Sequence, residues 1–294
     1  MIDVDWTPCP CGASDARVVI DTKTEFERRY RILECARCRL RRPDVDPTRQ
    51  QLDAQYDGYG DYADPTWLER ELVRRKRTAE RMVRKLDRIL APSPVSGRFL
   101  DVGCASGAFL WNLSRLSQLD CYGVEIDGRS AELAASLLPG RVVHGQLADA
   151  RFPADHFVAA YVEQVIEHVP DTVGLLRELW RVLQPGGVLL LGTPNFRGLA
   201  AQVLGTRWKE FSPSEHVRMF SVPSLRWFLV DQGFEDVAVT AGGIWLVRRD
   251  RRDLFPFRQD RLITRLLARG LATMRLGDGL SAVARKPRGG ALRR

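Results

Sequence analysis

Nowhere in its 294 residues does this chain carry an apolar run long enough to span a membrane. Its first residues, Met-Ile-Asp-Val-Asp, are acidic and lack the basic-then-apolar plan of a signal peptide. Six cysteines are too few for a disulfide scaffold in a chain of this size. Histidine is scarce, with four in the chain, and lysine is scarce beside arginine. These absences set the first expectation, a cytoplasmic protein with reduced cysteines. The length suits one large core with a small appended module.

Positive charge is abundant: the net charge is +8 and the sequence pI about 9.5. Such a balance invites a nucleic-acid or anionic-membrane partner. The arginines, however, are scattered, with clusters only at Arg74-Arg-Lys-Arg77 and Arg248-Arg-Asp-Arg-Arg252. Solvated faces explain this better than a phosphate-contacting surface, and nucleic acid is not the expected partner.

The cysteine spacing points to metal. Cys9-Pro-Cys11 and Cys35-Ala-Arg-Cys38 are two short pairs flanking strand-like segments at Val18–Ile20 and Tyr30–Leu33. Two such turns can bring four thiolates into the tetrahedron of a closed structural Zn²⁺ site, and chance pairing of reduced cysteines is the alternative. The first pair is tighter than usual, and Arg39 stands where a glycine often follows the second. Cys104 and Cys121 read as small buried apolar residues.

A polar, Tyr-rich stretch, Gln55 to Tyr62, precedes an amphipathic helix predicted over Pro65 to Leu90. Its apolar stripe is Trp67, Leu68, Leu72, Ala79, Met82, Val83, Leu86 and Ile89. Next comes the stretch that organises the rest. Phe99 to Val102 reads as a buried strand, Gly103-Cys-Ala-Ser-Gly107 as a tight turn, and Ala108, Leu110, Leu113 and Leu116 repeat with helical spacing. Strand, glycine turn and helix bring backbone close to a nucleotide-like ligand. About twenty residues on, the strand Asp120 to Asp127 ends in carboxylates, where a ribose diol finds its acceptor. Glu125 is the better placed; Asp127 can instead cap a helix over Ser130 to Leu138.

Further strands are predicted at Arg141–His144, Phe157–Val162 and Val188–Gly192, with a helix from Thr172 to Leu183 stopped at Gln184-Pro-Gly-Gly187. A helix over Ser221–Val230 and strands at Phe234–Thr240 and Ser281–Arg285 complete the pattern. The fold class is therefore α/β: a doubly wound, Rossmann-like sheet of seven strands, the last antiparallel and at the edge, preceded by a small zinc ribbon. The expected division is a ribbon module at 1–48, a linker and cap helix at 49–97, and a main domain at 98–287. Substrate insertions are expected at 196–222 and 246–278.

Four motifs in this order carry a resemblance: Leu100-Asp-Val-Gly-Cys-Ala-Ser-Gly107, Gly123-Val-Glu-Ile-Asp127, Ile166-Glu-His-Val-Pro-Asp171 and Arg181-Val-Leu-Gln-Pro-Gly-Gly187. The chain resembles class I S-adenosylmethionine-dependent methyltransferases, and over nearly its whole length those with an N-terminal zinc ribbon. The resemblance implies S-adenosylmethionine, with its methionyl group near Asp101, Gly103, Ala105 and Gly107, its ribose on Glu125 and its adenine by Gln146 and Leu147. Ile126 and Glu163 join that implied set. Ala105 stands in place of the usual central glycine, and Phe157-Val158 where Phe-Asp is common.

A second cluster, Glu167-His168 with Glu215-His216 inside Trp208 to Phe220, is similar to one in ubiquinone-pathway O-methyltransferases and small-RNA 3′-end methyltransferases. There it implies a divalent metal such as Mg²⁺, held here by Glu167, His168 and His216. Gln164 replaces one carboxylate with an amide, a neutral and weaker ligand. With or without that metal, His216 or His168 could be the general base that takes a hydroxyl proton, or His168 could merely cap or pack beside the cofactor. His144 and His156 read as structural.

The expected activity is methyl transfer to a small molecule, oxygen ahead of carbon or nitrogen, as in relatives acting on sugars, glycan precursors or secondary metabolites. C-methylation of a nucleotide-linked sugar, RNA methylation and a non-catalytic binding protein are the alternatives. The basic stretch Arg249–Leu271 could cover the site, form a homodimer contact, or meet an anionic or lipid-linked substrate, and Pro287–Arg294 reads as a frayed tail.

Overall fold

The computed structural model describes residues 7–23, 29–46, 48, 66–90, 95–243, 270 and 273–289. The Tyr-rich stretch at 55–62, the cluster at 248–252 and nearly all of 249–271 lie outside these residues, as does most of the C-terminal tail.

Two sheets organise the chain. The smaller is an antiparallel ribbon of β1 (Ala16–Lys23), β2 (Arg29–Cys35) and β3 (Arg41–Pro43), in that order. The expected two strands are present, longer than the apolar residues alone suggested, with a third supplied by the residues after Cys38. The larger sheet holds β4 (Ser96–Val102), β5 (Gln118–Glu125), β6 (Val142–His144), β7 (Phe157–Glu163), β8 (Leu183–Pro194), β9 (Glu235–Gly242) and β10 (Gly279–Arg285). Its spatial order is β6-β5-β4-β7-β8-β10-β9.

Strands β4 to β8 pair in parallel, and β10 is antiparallel to both its neighbours. The last strand is thus antiparallel, as expected, but it is not the edge: it inserts between β8 and β9. Strand β10 is the more apolar and more buried of the pair, whereas β9 carries Glu235, Asp236 and Thr240 and can face water. The helix expected to stop at Gln184-Pro-Gly-Gly187 ends at Val182, and these four residues, with Gly186 at φ +80°, belong to the start of β8.

Alternation along the central strands divides the core into two layers. On one face Phe99, Cys121, Ala159, Val188 and Leu190 pack beneath α1 (Trp67–Ile89), α2 (Ala108–Leu116) and α3 (Gly128–Leu137). On the other, Leu100, Val102, Ala160, Val162, Leu189 and Leu191 meet α4 (Thr172–Val182) and α6 (Val222–Asp231). Helix α1 buries Ala79, Met82 and Leu86 from the expected stripe. Asp127 caps α3, accepting from Ser130 N at 2.8 Å.

A third core was not foreseen. Tyr30 and Ile32 of β2 pack with Phe196, Ala200, Leu204, Trp208, Phe211 and Met219, which follow β8. That segment includes the short helix α5 (Leu199–Leu204). Arg41 and Met219 exchange backbone hydrogen bonds of 3.2 and 2.8 Å, so the ribbon docks on the first insertion. No helix among the described residues is long and apolar enough to cross a membrane.

Candidate active site

The parallel strands β4, β5, β6 and β7 end along one rim, and the residues expected to hold the cofactor gather there. Gly103 and Cys104 donate backbone hydrogen bonds to Val124 O at 2.8 and 3.1 Å, folding the turn against β5. Gly103 has φ +78°, and a Cβ on it would collide with the Val165 side chain. Gly107, at φ +74°, leaves room for Ala134 of α3, whose Cα would lie 2.9 Å from an added Cβ. Both positions therefore require glycine.

Ala105 has φ +48°, the left-handed region that costs a side chain energy. Its amide donates to Glu125 Oε2 at 2.8 Å, while Asp127 N donates to Glu125 Oε1 at 2.9 Å. The Glu125 carboxylate is thus a staple between turn and strand, with lone pairs left over. Burial pushes its pKa up. Ile126 follows it, and its carbonyl takes a hydrogen bond from His144 Nε2 at 3.1 Å. Leu147 is buried, and exposed Gln146 opens a 3-10 turn closed by Asp149, which accepts from Gln146 N at 2.8 Å. Asp101 lies at the base of the rim, and burial pushes its pKa up to about 8.

Glu163 ends β7 and accepts from Tyr161 Oη at 3.0 Å. Burial raises the pKa of Glu163, and burial first, then the Glu163 charge, raise that of Tyr161 well above the usual phenol range. Two cations of α1 oppose this acidity. Arg75 lowers both Asp101 and Glu163, and Glu163 in turn raises Lys85 against the larger, lowering effect of burial. These helix residues were missed because an amphipathic pattern assigns its polar face to solvent. Their signal was only that the helix precedes the glycine turn.

The second cluster forms where β7 and β8 end. Glu167 is fully buried; Thr193 Oγ1 donates to its Oε2 at 2.9 Å, and its Oε1 has no partner. Burial pushes Glu167 up to about 8. Nδ1 of His168 lies 3.1 Å from Glu215 O, and Nδ1 of His216 lies 2.6 Å from Glu210 O. Each ring must donate Nδ1–H to its carbonyl, which leaves each Nε2 with a free lone pair. Burial first, and then the neighbouring His216, hold His168 down at about 3.

The rings lie 4.7 Å apart, and one ligand atom from each of Glu167, His168 and His216 falls within 4.8 Å of the others. An orphaned carboxylate oxygen beside two oriented imidazoles is a donor set that fits a divalent cation. Gln164, at φ +55°, is half-buried nearby, and its amide nitrogen is buried with no partner.

Arg218 ties this cluster to the ribbon. Its guanidinium meets both oxygens of Asp46 at 2.6 Å and donates to Pro170 O at 2.8 and 3.1 Å, while its backbone N donates to Glu167 O at 2.9 Å. Arg218 lies inside the Trp208 to Phe220 stretch, but nothing there points to Asp46, so their pairing across 172 residues had no signal in the sequence.

At the ribbon's base the four expected thiols converge. Cys9 and Cys38 sulfurs are 3.4 Å apart, Cys11 and Cys35 sulfurs 3.6 Å, and all four lie within 4.8 Å. Zn–S bonds of about 2.3 Å put tetrahedral sulfurs about 3.8 Å apart, so the set fits zinc. The hydrogen bond from Cys38 holds the Cys9 thiol below its ordinary range. Arg39 does adopt the glycine-like conformation, at φ +63°. Cys104 and Cys121 are buried, as expected.

The chain is 27% identical over 175 residues to 27-O-demethylrifamycin SV methyltransferase of Amycolatopsis mediterranei (strain S699), covering 53% of this chain and 64% of that protein. It is 30% identical over 145 residues to the ubiquinone biosynthesis O-methyltransferase of Cereibacter sphaeroides (strain ATCC 17029 / ATH 2.4.9), covering 44% and 56%. Both matches span less than two thirds of the relative. Among solved structures, a SAM-dependent methyltransferase from Archaeoglobus fulgidus shares the fold at TM-score 0.52 and 18% identity, over 76% of this chain and all of that one. A family model described as a methyltransferase domain matches residues 73–239, and with more than half of its length inside that match the chain belongs to this family.

Proposed function

We propose that the protein is an S-adenosylmethionine-dependent methyltransferase acting on a hydroxyl of a small molecule, a sugar, glycan precursor or secondary metabolite. The observation that carries this reading is one rim bearing both the Glu125-stapled glycine turn and the Glu167–His168–His216 cluster. The relatives named as O-methyltransferases support oxygen as the acceptor atom.

S-adenosylmethionine supplies a methyl group already activated on a sulfonium, so the protein's task is in-line alignment and proton removal. Asp101, Gly103, Ala105 and Gly107 cradle the methionyl end, Glu125 accepts from the ribose, Ile126, Gln146 and Leu147 border the adenine, and Glu163 lies beside the reacting end. A divalent cation on Glu167, His168 and His216 would lower the pKa of the acceptor hydroxyl. Burial makes His168 a poor store for a proton and suits it to lending a lone pair. Without a cation on the cluster, His216 Nε2 is the group left to take the hydroxyl proton. The four cysteines hold a structural Zn²⁺, and residues 1–48, 49–97 and 98–287 serve as ribbon, linker with cap helix, and catalytic domain, in a protein working in the cytoplasm.

Calorimetry with S-adenosylmethionine tests the core of this reading. We expect one site per chain, weakened at least tenfold in Glu125→Ala, which loses charge-assisted hydrogen bonds. An unaltered protein that binds no cofactor would sink it. Mn²⁺ titration followed by electron spin resonance tests the cluster: binding should vanish in His216→Ala while the zinc content stays the same.

A further inference from the structure

Glu34 of β2 is completely buried, and four arginines close on it. Arg17 and Arg39 reach Oε1 at 3.1 and 2.9 Å; Arg41 and Arg197 reach Oε2 at 2.9 and 2.8 Å. They come from four places: β1, the turn after Cys38, β3, and the residues just past β8. Burial alone would raise the Glu34 pKa, but hydrogen bonds from Arg41, Arg197 and Arg17 together hold it near 2, so the carboxylate is charged at any working pH.

The balance of charge is what stands out physically. Elsewhere on the ribbon, arginine and aspartate pair off, as in Arg29–Asp21 and Arg31–Asp44. Here one negative charge faces four positive ones. Among the described residues, every ion pair of these four arginines converges on Glu34. Four attractions to a single carboxylate must then offset six mutual repulsions among guanidiniums, and a second anion relieves all six.

The donors for such an anion are present. The arginine side chains keep 68%, 43%, 26% and 37% of their exposure, in the order Arg17, Arg39, Arg41, Arg197, so an anion can reach them from solvent. Arg197 Nε is buried and has no partner. Planar guanidiniums match phosphoryl oxygens two at a time, which ammonium groups do not.

The cluster also borders the candidate active site. Arg197 follows Phe196, whose ring centroid is 6.1 Å from that of His216, and Arg41 pairs with Met219, three residues past His216. We infer that Arg17, Arg39, Arg41 and Arg197, gathered on Glu34, form a docking site for a phosphoryl group of the methyl acceptor. The inference rests on the methyltransferase reading and deepens it. It assigns the acceptor to phosphorylated compounds, whether linked to a nucleotide or to a lipid.

The test is calorimetry on the full chain saturated with S-adenosylhomocysteine, using inorganic pyrophosphate as probe. Saturable binding at roughly millimolar concentration or below is expected, falling with added salt. The exposed pair Arg17→Gln/Arg39→Gln, and separately Arg197→Gln, should each weaken it about tenfold or more. In parallel, UDP bound more tightly than pyrophosphate assigns a nucleotide-linked acceptor, and sedimentation with phosphatidylglycerol but not phosphatidylcholine vesicles assigns a lipid-linked one. Pyrophosphate that fails to bind while S-adenosylhomocysteine binds overturns the docking site and leaves the methyltransferase reading intact. Binding unchanged in both variants overturns it too, placing the anion elsewhere on a chain of net charge +8. Should a variant misfold, a pyrophosphate-soaked crystal of the unaltered protein decides: density on Arg39 and Arg197 upholds the inference, density only elsewhere overturns it. Failure to bind S-adenosylhomocysteine would remove the parent reading instead.

Discussion

Replacing Arg218 by methionine should separate the ribbon from the site it abuts. The guanidinium is 2% exposed and its partner Asp46 17%. Methionine would fill much of the volume but leave the Asp46 carboxylate without its cation and Pro170 O without two donors. Breaking a buried pair from one side costs about 3–5 kcal/mol. The partial exposure of Asp46 lets water recover some of this, so about 2–4 kcal/mol is expected. For a protein of this size that lowers the melting temperature by roughly 5–15 °C. A double-mutant cycle with Asp46→Asn isolates the pair, and a coupling of about 1 kcal/mol or more is expected. Because Arg218 also spans the turn after Glu167 and the strand-like stretch after His216, Mn²⁺ affinity should fall about tenfold, as when a ligand's supporting partner is lost. A stability loss under about 1 kcal/mol, or additive effects of the two substitutions, would refute the argument that this pair clamps the ribbon to the site.

Ala105→Gly should raise stability by about 0.5–1 kcal/mol: relief of a left-handed conformation costing about 1–2 kcal/mol exceeds the added chain entropy of glycine. A thermal melt that moves down instead would show that the turn is not held at positive φ. Asp101, buried with its pKa near 8, keeps a proton in the folded state that the unfolded chain releases near pH 4. Cofactor-free protein should therefore lose stability as pH rises from about 4 to 8, by up to about 1.4 kcal/mol per pH unit. Glu167, also pushed up to about 8 by burial, adds a slope of the same sign, so Asp101→Asn should remove about half of the total, read from denaturant midpoints across the same range. Metal analysis of purified protein should find about one zinc per chain, absent in Cys38→Ser, whose ribbon should become the first segment cut by protease. Unchanged zinc in that variant would place the ion elsewhere.

Much of this molecule was legible locally. Cys9, Cys11, Cys35 and Cys38 announced their cluster because chain turns of two or three residues leave thiols few other places to point. The helix cap at Asp127 and the glycines at 103 and 107 were readable because their demands are set within a few residues. The position of β10 was not: whether the last strand lies inside or at the edge depends on the relative burial of β9 and β10, settled by what packs on each. Arg39 shows both sides. The departure from glycine was visible in the sequence, but what uses the side chain there, Glu34, became visible only with the ribbon folded.

The sequence by itself determined the strand–turn–helix unit, the alternation of the sheet and the pairing of Glu167 with His168, because hydrophobic period, glycine sterics and short spacing act along the chain. Only the tertiary structure decided that α1 lends Arg75 and Lys85 to the acidic rim, and that the ribbon is clamped to the insertion by Arg218, Arg41 and a shared apolar core. Those contacts join residues far apart in the chain through charge and packing, which have no period. The glycine turn and the second cluster therefore lie on one rim by virtue of the parallel strands that carry both.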